Sequence, residues 1–200
     1  MSPTYLYCLT APDAPDPPVA TVGLDGGAVR RLASDGVDAW VGDVDARPVQ
    51  ATIERIRAHD SVVATALDTG STPLPARFGQ TFGSDDECLA MLSKKHSRMS
   101  AGLAQVAGMV EMTVILRVDL DTSSGTAYLQ SLARRQHAAR DVSSKLAGCI
   151  RQSAEKTNQE VLTLSHLVDR AAVAEYLDRL KGLEVKVLGP GAPYSFGPPE

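Results

Sequence analysis

The chain has 200 residues, of which 44% are hydrophobic and 22% charged, which fits a folded globular protein and excludes a large multidomain enzyme. Its 20 Lys and Arg residues against 24 Asp and Glu residues give a formal net charge of -4. Because no excess of positive charge is available to neutralise phosphates, we expect no nucleic acid partner.

The apolar segments do not indicate membrane insertion, and the cysteines do not indicate disulfide crosslinks. The longest apolar runs are far shorter than the roughly 18 residues that a membrane helix needs, and the first residues lack the pattern of a signal peptide. We therefore expect a cytoplasmic protein with no membrane partner. Cys8, Cys88 and Cys149 are odd in number and widely spaced, so we expect buried thiols rather than disulfides or a cysteine zinc site.

The first 70 residues predict a strand, a hairpin and a helix in that order. Residues 5–9 are an aromatic and aliphatic run that predicts a strand. Strand candidates at 29–32 and 37–44 flank a Ser-Asp-Gly turn, which predicts a hairpin. Asp45 is the expected N-cap of the following helix, whose apolar residues recur at helical spacing as far as Leu67.

The next 50 residues predict an extended segment, a helix and a strand. Segment 71–82 contains two prolines, which confine it to an extended path or to a sheet edge. Ser84 and Glu87 form a capping-box pattern, and the helical stripe that follows ends at Gly108. Residues 110–118 alternate apolar with mainly polar side chains, which predicts a strand buried chiefly on one face.

This order of elements predicts an α+β fold. Helices on one face of a largely antiparallel sheet would bury the apolar faces of residues 4–119. We therefore predict a ferredoxin-like N-terminal domain, or a variant of it, at residues 1–121. Residues 122–200 are predicted to form a C-terminal α+β domain with a long helix, a small α+β region and a Pro/Gly-rich tail.

The long helix is predicted at residues 126–157, which contain no proline. Leu132, Ala139 and Leu146 lie at heptad spacing, with polar residues interrupting the seam, so the helix resembles a coiled-coil arm that projects or lies along the surface. We expect partner binding to use this helix together with an exposed sheet edge. Packing of the seam against the chain's own short helix, predicted at 170–180, is the competing interpretation.

The last part of the chain predicts two further strands and an irregular end. The strand candidates are residues 161–168 and 184–188. The tail that begins at Gly189 is so rich in glycine and proline that it can form neither a helix nor a central strand.

We find no motif for catalysis or for cofactor binding in the sequence. It contains no Walker loop, dinucleotide-binding glycine pattern, zinc-protease motif, EF-hand loop or nucleophile elbow. The four histidines lack metal-ligand spacing, and the acidic run Asp85-Asp86-Glu87 suits the first turn of a helix. We therefore predict no catalytic residue, no cofactor and no metal.

Two segments resemble the gas vesicle GvpF/GvpL family. The stretch P-L-P-A-R-F-G-Q-T-F resembles the family's V-x-P-x-R-F-G-T-x-F and contributes Pro73, Pro75, Arg77, Phe78, Gly79 and Phe82. The stretch G-P-G-A-P-Y-S-F resembles the family's G-P-W-P-P-Y-S-F and contributes Pro190, Pro193, Tyr194 and Phe196. Gly191 and Ala192 replace the family's Trp-Pro, which removes a large apolar contact of the tail.

The resemblance implies a non-enzymatic, cytoplasmic accessory protein of gas vesicle assembly. It implies that the main shell protein GvpA and other Gvp accessory proteins are the partners, and that the chain is a minor component of the gas vesicle shell. The alternative is a small-molecule enzyme or ligand-binding regulatory module on a ferredoxin-like sheet, because that fold carries many functions. The resemblance does not distinguish F-type from L-type members.

The candidate contact residues are those ten motif residues together with Leu132 and Leu146. We expect residues 73–82 to be structural first, with Phe78 and Phe82 anchored in apolar packing and Arg77 held by carbonyls or an acid. We expect the tail to fold back, so that Tyr194 and Phe196 cover apolar surface between the two domains. A disordered recognition peptide is the alternative interpretation of the tail.

Overall fold

The structure is a computed structural model that describes residues 2–117, 120–158 and 161–197. By its internal contacts the chain divides into two units, Met1–Gly108 with Ala192–Glu200, and Met109–Gly191. The chain therefore leaves the first unit once, forms the second, and returns to the first at its C-terminus.

The first unit is an antiparallel sheet with three helices. Its elements are β1 (Thr4–Thr10), β2 (Val29–Leu32), β3 (Asp38–Asp43), α1 (Ile53–Asp68), β4 (Leu74–Pro75), β5 (Thr81–Phe82), α2 (Asp85–Lys94) and α3 (His96–Val106). The sheet order is β2-β3-β1-β4, and β5 also pairs with β1. The predicted first strand, the hairpin and the sheet-edge path of segment 71–82 are all confirmed.

The central strand β1 is buried along its whole length, because it has paired strands on both sides and helices over it. Its tyrosines join a core that contains Trp40 and the apolar face of α1. That face consists of His59, Val62, Val63, Ala66 and Leu67, which recur with the period of a helix.

Two predicted helix boundaries in this unit are wrong. Thr52, not Asp45, caps α1, and its hydroxyl accepts a hydrogen bond from the Arg55 amide at 3.3 Å. Both residues are competent caps, but residues 44–51 lie outside the helix, so the later one is used. The Ser84 hydroxyl accepts from the Glu87 amide as the capping box predicts, but the helix is interrupted at Lys95, so α2 and α3 are separate.

The second unit is a four-stranded antiparallel sheet with two helices. The elements are β6 (Met109–Arg117), α4 (Gly125–Lys145), β7 (Ile150–Thr157), β8 (Val161–Asp169), α5 (Val173–Arg179) and β9 (Lys186–Gly191). The sheet order is β7-β8-β6-β9, so β7 and β9 form its edges. One core joins alternate residues of β6 and β8 to Val142, Leu146 and Tyr176.

The pairing of β6 does not confirm the predicted ferredoxin-like domain. This strand pairs with β8 and β9 in the second sheet, not with β1. The division between the units therefore falls at Gly108, which has a φ of 72°, and not at residue 121. The predicted α+β class with antiparallel sheets is confirmed. Val118, the predicted end of strand β6, lies outside the described residues.

The long helix is shorter than predicted. It ends at Lys145, Gly148 adopts a φ of 87°, and residues 150–157 form β7 along β8. The absence of proline permits a helix but does not require one, and pairing with β8 gives the backbone of this segment hydrogen-bond partners on one side. A coiled-coil arm is not confirmed, since Val142 and Leu146 lie in the core of the second unit.

The other late elements follow the sequence patterns more closely. Strand β8 and helix α5 lie where they were predicted, and β9 extends from Lys186 through Gly189 and Pro190. Because β9 is an edge strand, a proline there breaks no ladder. Within the described residues, no helix is both long enough and apolar enough to cross a membrane.

Candidate functional site

An aromatic cluster of the first unit brings the two motif segments together. Tyr5 and Tyr7 come from β1, His59 from α1, Phe78 from the first motif segment and Tyr194 from the second. His59 lies at the centre, because its ring centroid is 5.7 to 6.4 Å from those of the other four residues. These separations are those of favourable aromatic pairs.

Hydrogen bonds fix the inner part of the aromatic cluster. The Gly79 amide donates to the Tyr5 hydroxyl oxygen at 3.1 Å, and that hydroxyl lies 2.9 Å from His59 Nδ1. Since the oxygen already accepts from Gly79, its hydrogen is available to donate to Nδ1. The Tyr7 hydroxyl accepts from the Leu24 amide at 2.7 Å.

Burial determines the protonation of the aromatic cluster. Burial lowers the pKa of His59, and the nearby Ala76 carbonyl and Asp60 carboxylate offset part of this decrease. Burial also raises the pKa of Tyr5 to about 12 and raises the pKa of Tyr194, to which the neighbouring Asp60 adds. At neutral pH the cluster is therefore uncharged and suited to apolar packing.

The first motif segment contributes both buried and exposed residues. Pro73 and Phe82 are buried, Pro75 and Phe78 are half-buried, and Arg77 is exposed. Gly79 has a φ of 86°, a conformation that favours glycine. This turn is what directs the Gly79 amide to Tyr5 and places Phe78 against His59.

The second motif segment lies in both units. Pro190 is exposed on β9, while Ala192, Pro193 and Phe196 are buried within the first unit. Tyr194 begins a short 3-10 turn and is 46% exposed. The tail is therefore docked on the first unit and is not a free peptide as far as residue 197.

The structure separates the two candidate residues of α4. Leu146 is fully buried in the core of the second unit, so its proposed role as a surface contact is wrong. Leu132 is half-buried. The large apolar residues exposed on this helix are instead Tyr128 and Leu129, at 40% and 65% exposure, one turn before Leu132. The heptad pattern does not show which end of the seam is covered.

The second unit also has a groove of about 490 Å³. Its lining combines apolar residues with two arginines and two acids, and consists of Leu116, Arg117, Arg134, Ala138, Asp141, Val142, Leu183, Glu184 and Val185. This volume is within the range of ligand pockets. Among the described residues of this lining there is no His, Cys, Ser or Tyr, and its titratable acids are Asp141 and Glu184.

A second buried histidine lies in the second unit, again beside a tyrosine. His166 Nδ1 is 2.6 Å from the Tyr176 hydroxyl, and both residues are at most 1% exposed. Burial lowers the pKa of His166 to about 4 and raises the pKa of Tyr176. The pair is closed to substrates, so its chemistry is that of a satisfied core hydrogen bond.

The cysteines and acids form no site in the part of the chain that the structure describes. Cys8, Cys88 and Cys149 are free and buried, and burial raises the pKa of Cys88 to about 11. Residues 2–117, 120–158 and 161–197 contain no group of three or more His, Cys, Asp or Glu side chains that could hold a metal ion.

Comparisons with known proteins agree with one another across almost the whole chain. Residues 3–198 match the family described as gas vesicle synthesis protein GvpL/GvpF. The chain is 26% identical over 247 residues to gas vesicle protein L of Streptomyces sp. (strain CB03234), covering 96% of this chain and 91% of that protein. It is 26% identical over 255 residues to gas vesicle protein L2 of Halobacterium salinarum (strain ATCC 700922 / JCM 11081 / NRC-1), covering 97% and 91%.

Two crystal structures share the fold. Gas vesicle protein GvpF from Anabaena sp. PCC7120 superposes with a TM-score of 0.86 at 18% identity and covers 98% of this chain and 96% of that one. GvpF from Microcystis aeruginosa superposes with a TM-score of 0.81 at 16% identity and covers 98% and 99%.

Proposed function

Because the chain belongs to the GvpL/GvpF family of gas vesicle synthesis proteins, matched over residues 3–198, we propose that it is an accessory protein of gas vesicle assembly that binds the main shell protein GvpA. Other Gvp accessory proteins are its further proposed partners. The family match over nearly the full length is the observation that carries this proposal. The proposed location is the cytoplasm before assembly and the gas vesicle shell afterwards.

The proposed task is to cover apolar surface. A small protein that builds a gas-facing wall exposes apolar side chains until it is incorporated, and such surfaces aggregate. A partner that binds the unassembled form lowers the concentration of the aggregating species by mass action. This task needs a surface and no catalytic group.

The N-terminal half of α4 is the proposed contact surface. Tyr128 and Leu129 are exposed there, beside the half-buried Leu132. Three of the four basic residues of the helix, Arg134, Arg140 and Lys145, are exposed beside one acid, Asp141, whereas Arg135 is buried. An apolar centre with a basic rim is what an interface for an apolar segment with acidic flanks requires.

The edge strand β7 is the proposed second part of this surface. It pairs with β8 on one side, while the other side forms the edge of the sheet. Most of its side chains are exposed and include Arg151, Glu155 and Lys156. Charged edge strands avoid unspecific strand pairing, so a partner strand would need matching charges to pair there.

Co-purification of the shell protein with two matched variants tests this proposal. Leu129→Glu places a charge in the proposed surface, whereas Leu177→Glu changes an exposed leucine of α5 in the same unit. We expect Leu129→Glu to reduce the amount of GvpA recovered at least tenfold and Leu177→Glu to leave it unchanged, with melting temperatures close to that of the unmodified protein. Equal recovery with both variants would refute the assignment of this surface.

For the alternative function, a small-molecule enzyme or ligand-binding module, the candidate site is the groove of the second unit. The descriptions of the matched family and relatives concern gas vesicles and name no catalysed reaction. The aromatic cluster and the His166–Tyr176 pair are packed core groups. We therefore place the accessory role first.

A further inference from the structure

The sheet of the second unit has helices packed on only one of its two faces. Helices α4 and α5 contact the face that carries Met112, Val114 and Leu164. Because side chains alternate along a strand, residues 113 and 115 of β6 lie on the opposite face, which we call the open face. Among the described residues of the second unit, no helix covers the open face.

Strand register arranges the open face in rows that cross all four strands. In the first row, Ile115 of β6 lies opposite Lys186 of β9 and Thr163 of β8. Thr163 in turn lies opposite Lys156 of β7. Directly opposite residues of antiparallel strands share a face, so the two lysines stand at the two ends of one row. The neighbouring row consists of Leu188, Thr113, Ser165 and Ala154.

The open face combines an apolar centre with basic edges. Ile115 and Thr163 are half-buried, and Leu188 is 45% exposed. Lys156 and Lys186 are exposed, and neither forms an ion pair with a residue that the structure describes. The edges of this face therefore carry two positive charges that the described part of the chain leaves unpaired.

Acidic residues do not balance these lysines. Glu155 is the neighbour of Lys156 in β7, so its side chain lies on the other face. Glu111 lies on the open face but is only 9% exposed, and Glu184 precedes the first residue of β9. The exposed charge of the two rows is thus positive, although the whole chain has a formal net charge of -4.

We propose that the open face binds an amphipathic helix of a partner protein, with acidic residues on both sides of its apolar stripe. The two lysines are three strand spacings apart, or about 14 Å. A helix with its side chains is about 10 to 12 Å wide, so one helix that lies along the strands fits between them. Its acidic flanks then meet the lysines, while its apolar stripe covers Ile115 and Leu188.

The packing of a helix on a sheet is one of the few stable arrangements of two layers. The α4 side of this sheet already has that arrangement, and the partner helix supplies it on the other side. This inference goes beyond the accessory role and does not depend on it, because it follows from the register and the charges alone.

A designed peptide binding to the full-length protein tests the proposal. The probe is a labelled helix of about 18 residues, with a leucine stripe and glutamates on both flanks. One control peptide has lysines in place of the glutamates, and another has the same composition without a stripe. Binding is measured by fluorescence anisotropy at low salt.

Two double variants with the same change in charge locate the binding site. Lys156→Glu with Lys186→Glu reverses the edges of the open face. Arg140→Glu with Lys145→Glu is the matched control, because both residues are exposed on α4, which packs on the other face. Urea unfolding of each variant shows whether the fold is retained.

We expect the open-face variant to bind the glutamate peptide about tenfold more weakly or worse, because two attractive contacts become repulsive. The α4 variant should bind within about twofold of the unmodified protein, and both variants should keep its urea midpoint. Equal weakening by the two variants, equal binding of either control peptide, or no binding of the glutamate peptide would overturn the proposal. Binding of anionic lipid vesicles in place of the peptide would also overturn it.

Discussion

Acidification should destabilise the protein through the buried pair of His166 and Tyr176. The folded state holds His166 neutral, with its pKa lowered by burial to about 4, while the unfolded chain has the ordinary value near 6.5. Below pH 6.5 the unfolded state therefore binds a proton that the folded state excludes. The free energy of unfolding should fall as the pH drops through this window and level off below about pH 4.

The size of the effect follows from the difference between the two pKa values. A difference of about 2.5 units at about 1.4 kcal/mol per unit sets a limit of about 3 kcal/mol for His166. About 2 kcal/mol of this loss is reached at pH 5. A protein of this size has a total stability of about 10 kcal/mol, so the loss is easily measured.

Urea unfolding at pH 7.5, 6, 5 and 4.5 provides the assay, with His166→Gln as the matched variant. Glutamine keeps a polar partner for the Tyr176 hydroxyl but has no charge to gain. The contributions of His59 and of the carboxylates are common to both proteins and cancel in the difference. We expect the free energy of unfolding of the unmodified protein to fall by about 2 kcal/mol relative to the variant between pH 7.5 and pH 5. A difference that stays constant with pH would refute the argument.

Three further changes test the packing. In urea titrations, Leu146→Ala should lower the free energy of unfolding by about 3 to 5 kcal/mol, because it leaves a cavity in a core. Leu129→Ala should lower it by less than about 0.5 kcal/mol, because it removes an exposed side chain. Similar values for the two variants would contradict the burial of Leu146 and the exposure of Leu129. Phe78→Ala should lower the free energy of unfolding by about 3 kcal/mol, the lower end of the range for phenylalanine, because its ring is half-buried against His59. If this variant melts like the unmodified protein but no longer recovers GvpA, Phe78 is a contact residue instead. Deleting residues 192–200 should lower the midpoint of urea unfolding, because the buried contacts of Phe196 are lost. An unchanged midpoint would show that the tail is not docked on the first unit.

Local sequence patterns determined most of the secondary structure. The hairpin of β2 and β3, the capping box before α2 and the alternation along β6 each depend on residues that are neighbours in the chain. Their physical causes, turn conformation, cap hydrogen bonds and side-chain period, act over a few residues. The α+β class and the edge position of segment 71–82 followed from them.

The sequence also determined family membership and part of the candidate site. The motif residues Phe78 and Tyr194 both lie in the aromatic cluster, and the Gly79 amide donates a hydrogen bond to its Tyr5 hydroxyl. His59 at its centre was not singled out, because a histidine on the apolar face of a helix carries no signal of its partners. Its role depends on Tyr5 and Phe78, which are 54 and 19 residues away in the sequence.

Tertiary structure alone decided which strands share a sheet and where the long helix ends. The alternation along β6 indicates that one face is buried, but it does not indicate which strands pair with it. The strand belongs to the second unit because it pairs with β8 and β9. Residues 150–157 pair one side of their backbone with β8, and the presence of β8, not a local pattern, decided that this segment is a strand and not a helix. The predicted heptad seam is not the buried face of α4, whose buried residues are Ser131, Arg135 and Val142. Burial of Leu146 and exposure of Leu129 depend on where the core of the second unit ends, which is set by contacts distant in the sequence.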